Sequence, residues 1–110
     1  MKINEKKLDE VMLELGHKEN IKGTGYIRLG AALYERDMAM TKELYPAIAK
    51  AANTTPSRVE RAMRHSITSA WSRGSLDAQR RYFGYTIHPD KGAPTVGEYL
   101  ARIVRVCGAD

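Results

Sequence analysis

The stretch Thr41–Gly74, TKELYPAIAKAANTTPSRVERAMRHSITSAWSRG, constrains the fold of this chain more than any other. Its residues Tyr45–Ala52 are mostly apolar and predict a short helix. Pro46 falls in the first turn of that helix, where its missing N–H costs nothing. Asn53-Thr54-Thr55 predicts a tight polar turn, because Asn tolerates the left-handed conformation that ends helices. Pro56–Arg73 predicts a longer helix that stops at Gly74. Thr55 is the expected N-cap, with Ser57 and Glu60 as an alternative capping box. Helix, tight turn and second helix together form the frame of a helix-turn-helix whose second helix enters a DNA groove.

The side chains of Pro56–Arg73 sort by face. At about 100° per residue with Arg58 at zero, Ala62, Ser66, Val59, Ala70, Met63 and Ile67 fall between about 40° and 180°, and Trp71 near about 220°. Ser57, Arg64, Thr68, Arg61, Ser72, His65 and Arg58 occupy the arc from about 240° to 360°, with Glu60 near the boundary. One side thus faces a core and the other is positive and rich in donors. Arg can place two donors on the O6 and N7 acceptors of guanine. Glu can accept from the cytosine amino group and would be repelled by bare phosphate, so a Glu among arginines suits base edges better than the DNA backbone. The N-terminal turns, which reach deepest into the groove, hold Ser57, Arg58, Glu60 and Arg61. Arg64, His65 and Thr68 are next along the same face, and Thr54, Thr55 and the helix N-terminus are placed for phosphates. The competing reading is a solvated basic face with Glu60 and Arg64 paired at i,i+4.

Charge agrees with an anionic partner: the 110 residues carry a formal net charge of +5 and a pI near 9.5. Nucleic acid ranks first, and an acidic protein or membrane surface next. The lone cysteine, Cys107, forms no internal disulfide and fits a reducing compartment. No apolar run approaches the roughly 18–20 residues that span a bilayer. The amino-terminal residues have no apolar core of signal-peptide length. A cytoplasmic protein with no membrane partner is expected.

The rest of the chain reads as a helical scaffold. Residues 4–16 predict an amphipathic helix capped by Asn4 and stopped by Gly16, with Leu8, Val11, Met12 and Leu15 on its core face. His17 to Gly25 predicts a connection. Within it, Lys22-Gly23-Thr24-Gly25 lacks the spacing of a dinucleotide fingerprint. That run reads either as a plain turn or as backbone N–H groups and a cation for a phosphate, with the turn favoured. Tyr26 to Arg36 predicts a second helix with Ile27, Leu29, Leu33 and Tyr34 apolar and Gly30, Ala31 and Ala32 small for close packing. Asp37 to Glu43 connects it onward. Ser75 caps a short helix over Leu76–Phe83, ended by Gly84. Tyr85 to Pro94 predicts a loop with a brief extended piece at Tyr85-Thr86-Ile87. Thr95 and Glu98 form a capping box for a last helix, Val96 to Val106. The expected fold class is all-α, with about six helices.

Other chemistry finds little support. His17, His65, His88 and Cys107 are scattered and show no metal-ligand spacing, so no metal is expected. No nucleophile elbow, acid pair or Walker-type loop is present, and neither an enzyme nor a cofactor is expected. The cluster of Tyr82, Phe83 and Tyr85 beside Arg80 and Arg81 could stack on single-stranded bases. Packing beneath the long helix is the favoured role.

The blocks LYPAIAK, NTT, SRVERAMRH, AWSRG and FGYT resemble the carboxyl-terminal effector domain of the stage-zero sporulation protein A family, the master response regulators of endospore formation. The similarity runs from about Leu8 to the last helix. It implies an all-helical domain with a helix-turn-helix that binds a short asymmetric box in double-stranded DNA, often as tandem copies. Carried over by position, it implies base reading by Arg58, Glu60 and Arg61 and support from Ser57, Arg64 and His65. It also implies that about Thr68 through Gly84 meets the sigma factor of RNA polymerase, and that the last helix brings neighbouring copies together on DNA. The family often has a basic residue just before the Pro-Thr that opens the last helix. Here that residue is Ala93, so Lys91 is the nearest candidate for a loop contact. The 110 residues are expected to form a single effector domain without a phosphoacceptor receiver, as a fragment of a longer regulator or freestanding. A protein-interaction module docking on an acidic polymerase subunit remains the alternative to sequence-specific DNA reading.

Overall fold

The computed structural model describes residues 2–84 and 92–108. Among them are six α-helices: α1 (Glu5–Glu14), α2 (Lys22–Leu33), α3 (Tyr45–Ala52), α4 (Pro56–Arg73), α5 (Leu76–Phe83) and α6 (Val96–Cys107). A single π-helical turn, Met40–Leu44, leads directly into α3. The class is all-α. The one strand-like pairing among the described residues is an isolated antiparallel bridge between Ile3 and Gly108, which ties the two ends together.

Local chemistry explains most helix ends. The Asn4 side chain accepts from the Lys7 N–H and starts α1. Gly16 follows α1 with φ +93°, a left-handed value that favours glycine. The Ser75 hydroxyl caps α5 by accepting from the Ala78 N–H. Thr95 and Glu98 form the reciprocal capping box of α6. Apolar faces then meet at one cluster: Leu8, Val11, Met12 and Leu15 from α1 and its end, Ile27 from α2, Val59, Met63 and Ile67 from α4, and Tyr99, Leu100, Ile103 and Val104 from α6. The rings of Trp71, Phe83 and Tyr99 close one side of it, with Trp71 and Phe83 edge to face at 5.1 Å.

Three expectations are corrected. The second helix begins at Lys22 rather than Tyr26, so Lys22-Gly23-Thr24-Gly25 is its first turn and not a connection. The reason is packing, because Gly23 lies directly against α4, where a helical backbone without a side chain fits. This helix also ends at Leu33, before Tyr34, Glu35 and Arg36, and Leu33 sits at its exposed border. The connection after it holds the π-helical turn, which a simple loop reading does not anticipate. The loop expected over Tyr85–Pro94, its extended piece and Lys91 lie at least partly outside the described residues.

Candidate nucleic-acid interface

The interface is built on how α3 hands over to α4. Asn53 ends α3 in the left-handed conformation, φ 56°, and its N–H and that of Thr54 return to carbonyls of the last turn. Thr55 is extended, and its hydroxyl accepts from the Arg58 N–H at 3.3 Å. Thr55 is thus the N-cap, and Ser57 falls within the first turn. Glu60 does not return to a cap; its carboxylate pairs with Arg64 at 3.2 Å.

The 18-residue α4 is about 27 Å long, enough to lie along a major groove. Val59, Met63, Ser66, Ile67 and Ala70 are buried. Ser57, Arg58, Arg61, Arg64, His65 and Thr68 are exposed and Glu60 is half-buried. The two faces match those expected from the wheel, and the structure brings the candidate residues from Thr54 to His65 together at one end of the helix.

Two open clefts flank this ridge. One, of about 470 Å³, lies on the α2 side and is lined by Lys22, Tyr26, Thr54, Arg58, Arg61, Ala62 and His65. The other, of about 460 Å³, lies on the α3 side and is lined by Thr41, Tyr45, Pro56, Ser57, Glu60, Arg61 and Arg64. Their electrostatics differ, since Glu60 lies in the second and no carboxylate lines the first. The Tyr45 hydroxyl, at the foot of the second, is held above its usual pKa by burial and by the Glu60 carboxylate, so it stays a neutral donor.

What holds α4 at the surface is partly polar, through contacts that no motif in the sequence marks. Behind Ser66, the His17 ring lies with Nδ1 3.1 Å from Ser66 Oγ and Nε2 2.7 Å from the Tyr99 hydroxyl. A neutral ring donates with one nitrogen and accepts with the other, so both are satisfied. The Thr24 hydroxyl, 3.4 Å from Ser66 Oγ, donates to the Lys18 carbonyl at 2.8 Å. Burial, then the positive Arg73 and Arg28, push the His17 pKa down to about 4. Burial likewise pushes the Tyr99 hydroxyl upward. At the far end of α4, Arg73 donates to the Gly16 carbonyl at 2.9 Å, and Gln79 donates to the Trp71 carbonyl at 2.9 Å. These partners lie as much as 82 residues apart, and no local pattern marks them.

Gly23 packs directly against α4. A Cβ there would stand 2.1 Å from the Ala62 carbonyl oxygen and 2.6 Å from the Ser66 Cβ. The first turn of α2 is thereby pressed onto the flank of α4, with Lys22 exposed beside it. Tyr82 and Phe83 are buried and closed to base stacking; Phe83 packs on Trp71 of α4 as expected, whereas the Tyr82 hydroxyl donates to Glu14 of α1. Among the described residues no helix is long and apolar enough to cross a membrane.

A surface helix with a basic face, an N-capped start after a left-handed turn and a buried apolar back has the geometry of the second helix of a helix-turn-helix. Independently, a family model described as the sporulation initiation factor Spo0A C terminal matches residues 8–106, nearly the whole chain. The chain belongs to this family of DNA-binding effector domains of sporulation regulators, which act in transcription regulation.

Proposed function

We propose that the chain is a sequence-specific reader of double-stranded DNA, with α4 seated in the major groove. One observation carries this reading: Arg58, Arg61, Arg64 and His65 are all exposed on a single face whose opposite side is buried in the core. Arg58 and Arg61 read guanine edges and Glu60 reads a cytosine amino group. To do so, Glu60 shares or releases Arg64, its partner in the free domain. Thr54, Ser57, Arg64 and His65 support the docked helix, and Thr55 adds a phosphate contact while it caps α4. Lys91 is assigned a loop contact on family resemblance alone.

The proposal extends to the family's partners. Leu76, Asp77, Arg80 and Arg81 on α5 are exposed, within the stretch that resembles the sigma-factor contact of RNA polymerase. The apolar face of α6 is spent on the core, which leaves Glu98, Ala101 and Arg105 outward for a neighbouring copy on tandem boxes. The test is titration of wild type, Arg58→Ala and Arg61→Ala against a preferred duplex and a random one at one salt concentration. Each substitution is expected to cost about 1–3 kcal/mol on the preferred duplex and to relax preference at one base pair. Equal losses on both duplexes would contradict base reading by that arginine. Absence of any duplex preference, with binding to a polymerase subunit retained, would favour the protein-docking alternative.

A further inference from the structure

The cleft on the α2 side of the recognition helix has a chemistry of its own. Three permanent cations, Lys22, Arg58 and Arg61, line it together with His65 and the Tyr26 ring, and no carboxylate does. Two of these residues, Lys22 and Tyr26, lie outside the helix-turn-helix, one turn apart on α2. Their position is not free to drift. The Gly23 backbone rests on the Ala62 carbonyl with no room for a methyl group, so the residue before it is pinned at the margin of the exposed face of α4. Lys22 is exposed and makes no ion pair among the described residues, whereas Arg28 on the same helix is tied to Asp9 and Glu19.

When a helix lies in the major groove, the sugar-phosphate strands run along its two flanks. The flank formed by α2 offers cations and a phenol without an opposing carboxylate, and the flank formed by α3 contains Glu60. We propose that the α2–α4 cleft is a binding site for the backbone of one DNA strand, in which the Lys22 ammonium and the Tyr26 hydroxyl grip phosphates and set the angle at which α4 enters the groove. This rests on the reading of α4 as a DNA-docking helix, and it does not need α4 to discriminate bases. It assigns to the Lys22-Gly23-Thr24-Gly25 run a role split between neighbours: Gly23 allows the approach and Lys22 supplies the charge.

The experiment measures affinity against salt concentration for wild type, Lys22→Ala, Tyr26→Phe and Lys6→Ala, each on a preferred and a random duplex. Lys6 is exposed on α1 and removes the same charge elsewhere. Lys22→Ala is expected to weaken binding by roughly fivefold on both duplexes and to lower the slope of log affinity against log salt by about 0.9, one phosphate's worth. Tyr26→Phe is expected to lose about threefold on both, with the slope unchanged, because only a neutral donor is removed. Unchanged melting temperatures confirm that the variants fold. A Lys22→Ala slope equal to that of wild type, or an equal slope loss in Lys6→Ala, overturns the proposal. A protein without base preference whose Lys22→Ala variant still loses the slope would contradict base reading and leave this site standing. Failure of wild type to bind either duplex would contradict both.

Discussion

Ser66 occupies the buried side of α4, two and five residues from the exposed Arg64 and Arg61, and it meets His17 rather than an apolar group. A polar side chain at a core position is tolerated because every member of the His17, Ser66, Tyr99 and Thr24 group has a partner. The acid sensitivity follows from its burial. The folded domain holds the His17 pKa at about 4, below the ordinary 6.5 that the unfolded chain shows. Stability is therefore full above pH 6.5 and is lost as pH falls through that value toward 4. Urea unfolding of wild type should give about 2 kcal/mol less stability at about pH 5 than at about pH 7.5 from this group. His17→Gln should be less stable than wild type at the higher pH and should lack this decrement; an equal decrement in the variant would place the acid sensitivity elsewhere. The network has no signature in the sequence, because 49 residues separate His17 from Ser66 and 82 separate it from Tyr99. The exposed face of α4, in contrast, was legible residue by residue, since one helical period determines it.

At the scale of elements, legibility tracked how local the determining chemistry is. The caps at Asn4, Thr55, Ser75 and Thr95 each act within three residues and were all readable. The first turn of α2 was not. Two glycines and a threonine favour a turn by propensity, and only the tertiary contact of Gly23 with Ala62 and Ser66 explains a helix there. Two substitutions separate these cases. Thr55→Ala removes a cap and should cost about 1 kcal/mol in chemical denaturation, with the fold retained. Gly23→Ala forces two helices apart and should cost about 3 kcal/mol or more, although alanine is the better helix former. A stabilised Gly23→Ala protein would show that α2 and α4 can separate cheaply, and would remove the basis for Lys22 being held beside the reading face.

In the whole molecule, α1, α2, α5 and α6 serve one end: they present α4 with its basic side outward and immobilise its back and its last turn. Polar ties come from His17, Arg73 and Gln79, and the apolar ones from Val59, Met63 and Ile67. The surface around α4 is asymmetric, cationic toward α2 and mixed toward α3. Fold class and the candidate DNA face were both accessible from sequence periodicity and family resemblance. The role of α2 as a flank of that face was not, because it depends on where a glycine lets two helices touch. The central claim is that α4 reads bases, and selection of duplexes from a random pool by the wild-type protein tests it most directly. Repeating the selection with Arg58→Ala and Arg61→Ala connects the result to these residues. The account predicts one enriched short asymmetric box in wild type, with preference lost at a single, different base pair in each variant. A pool that binds without enrichment, or identical boxes from all three proteins, would contradict it.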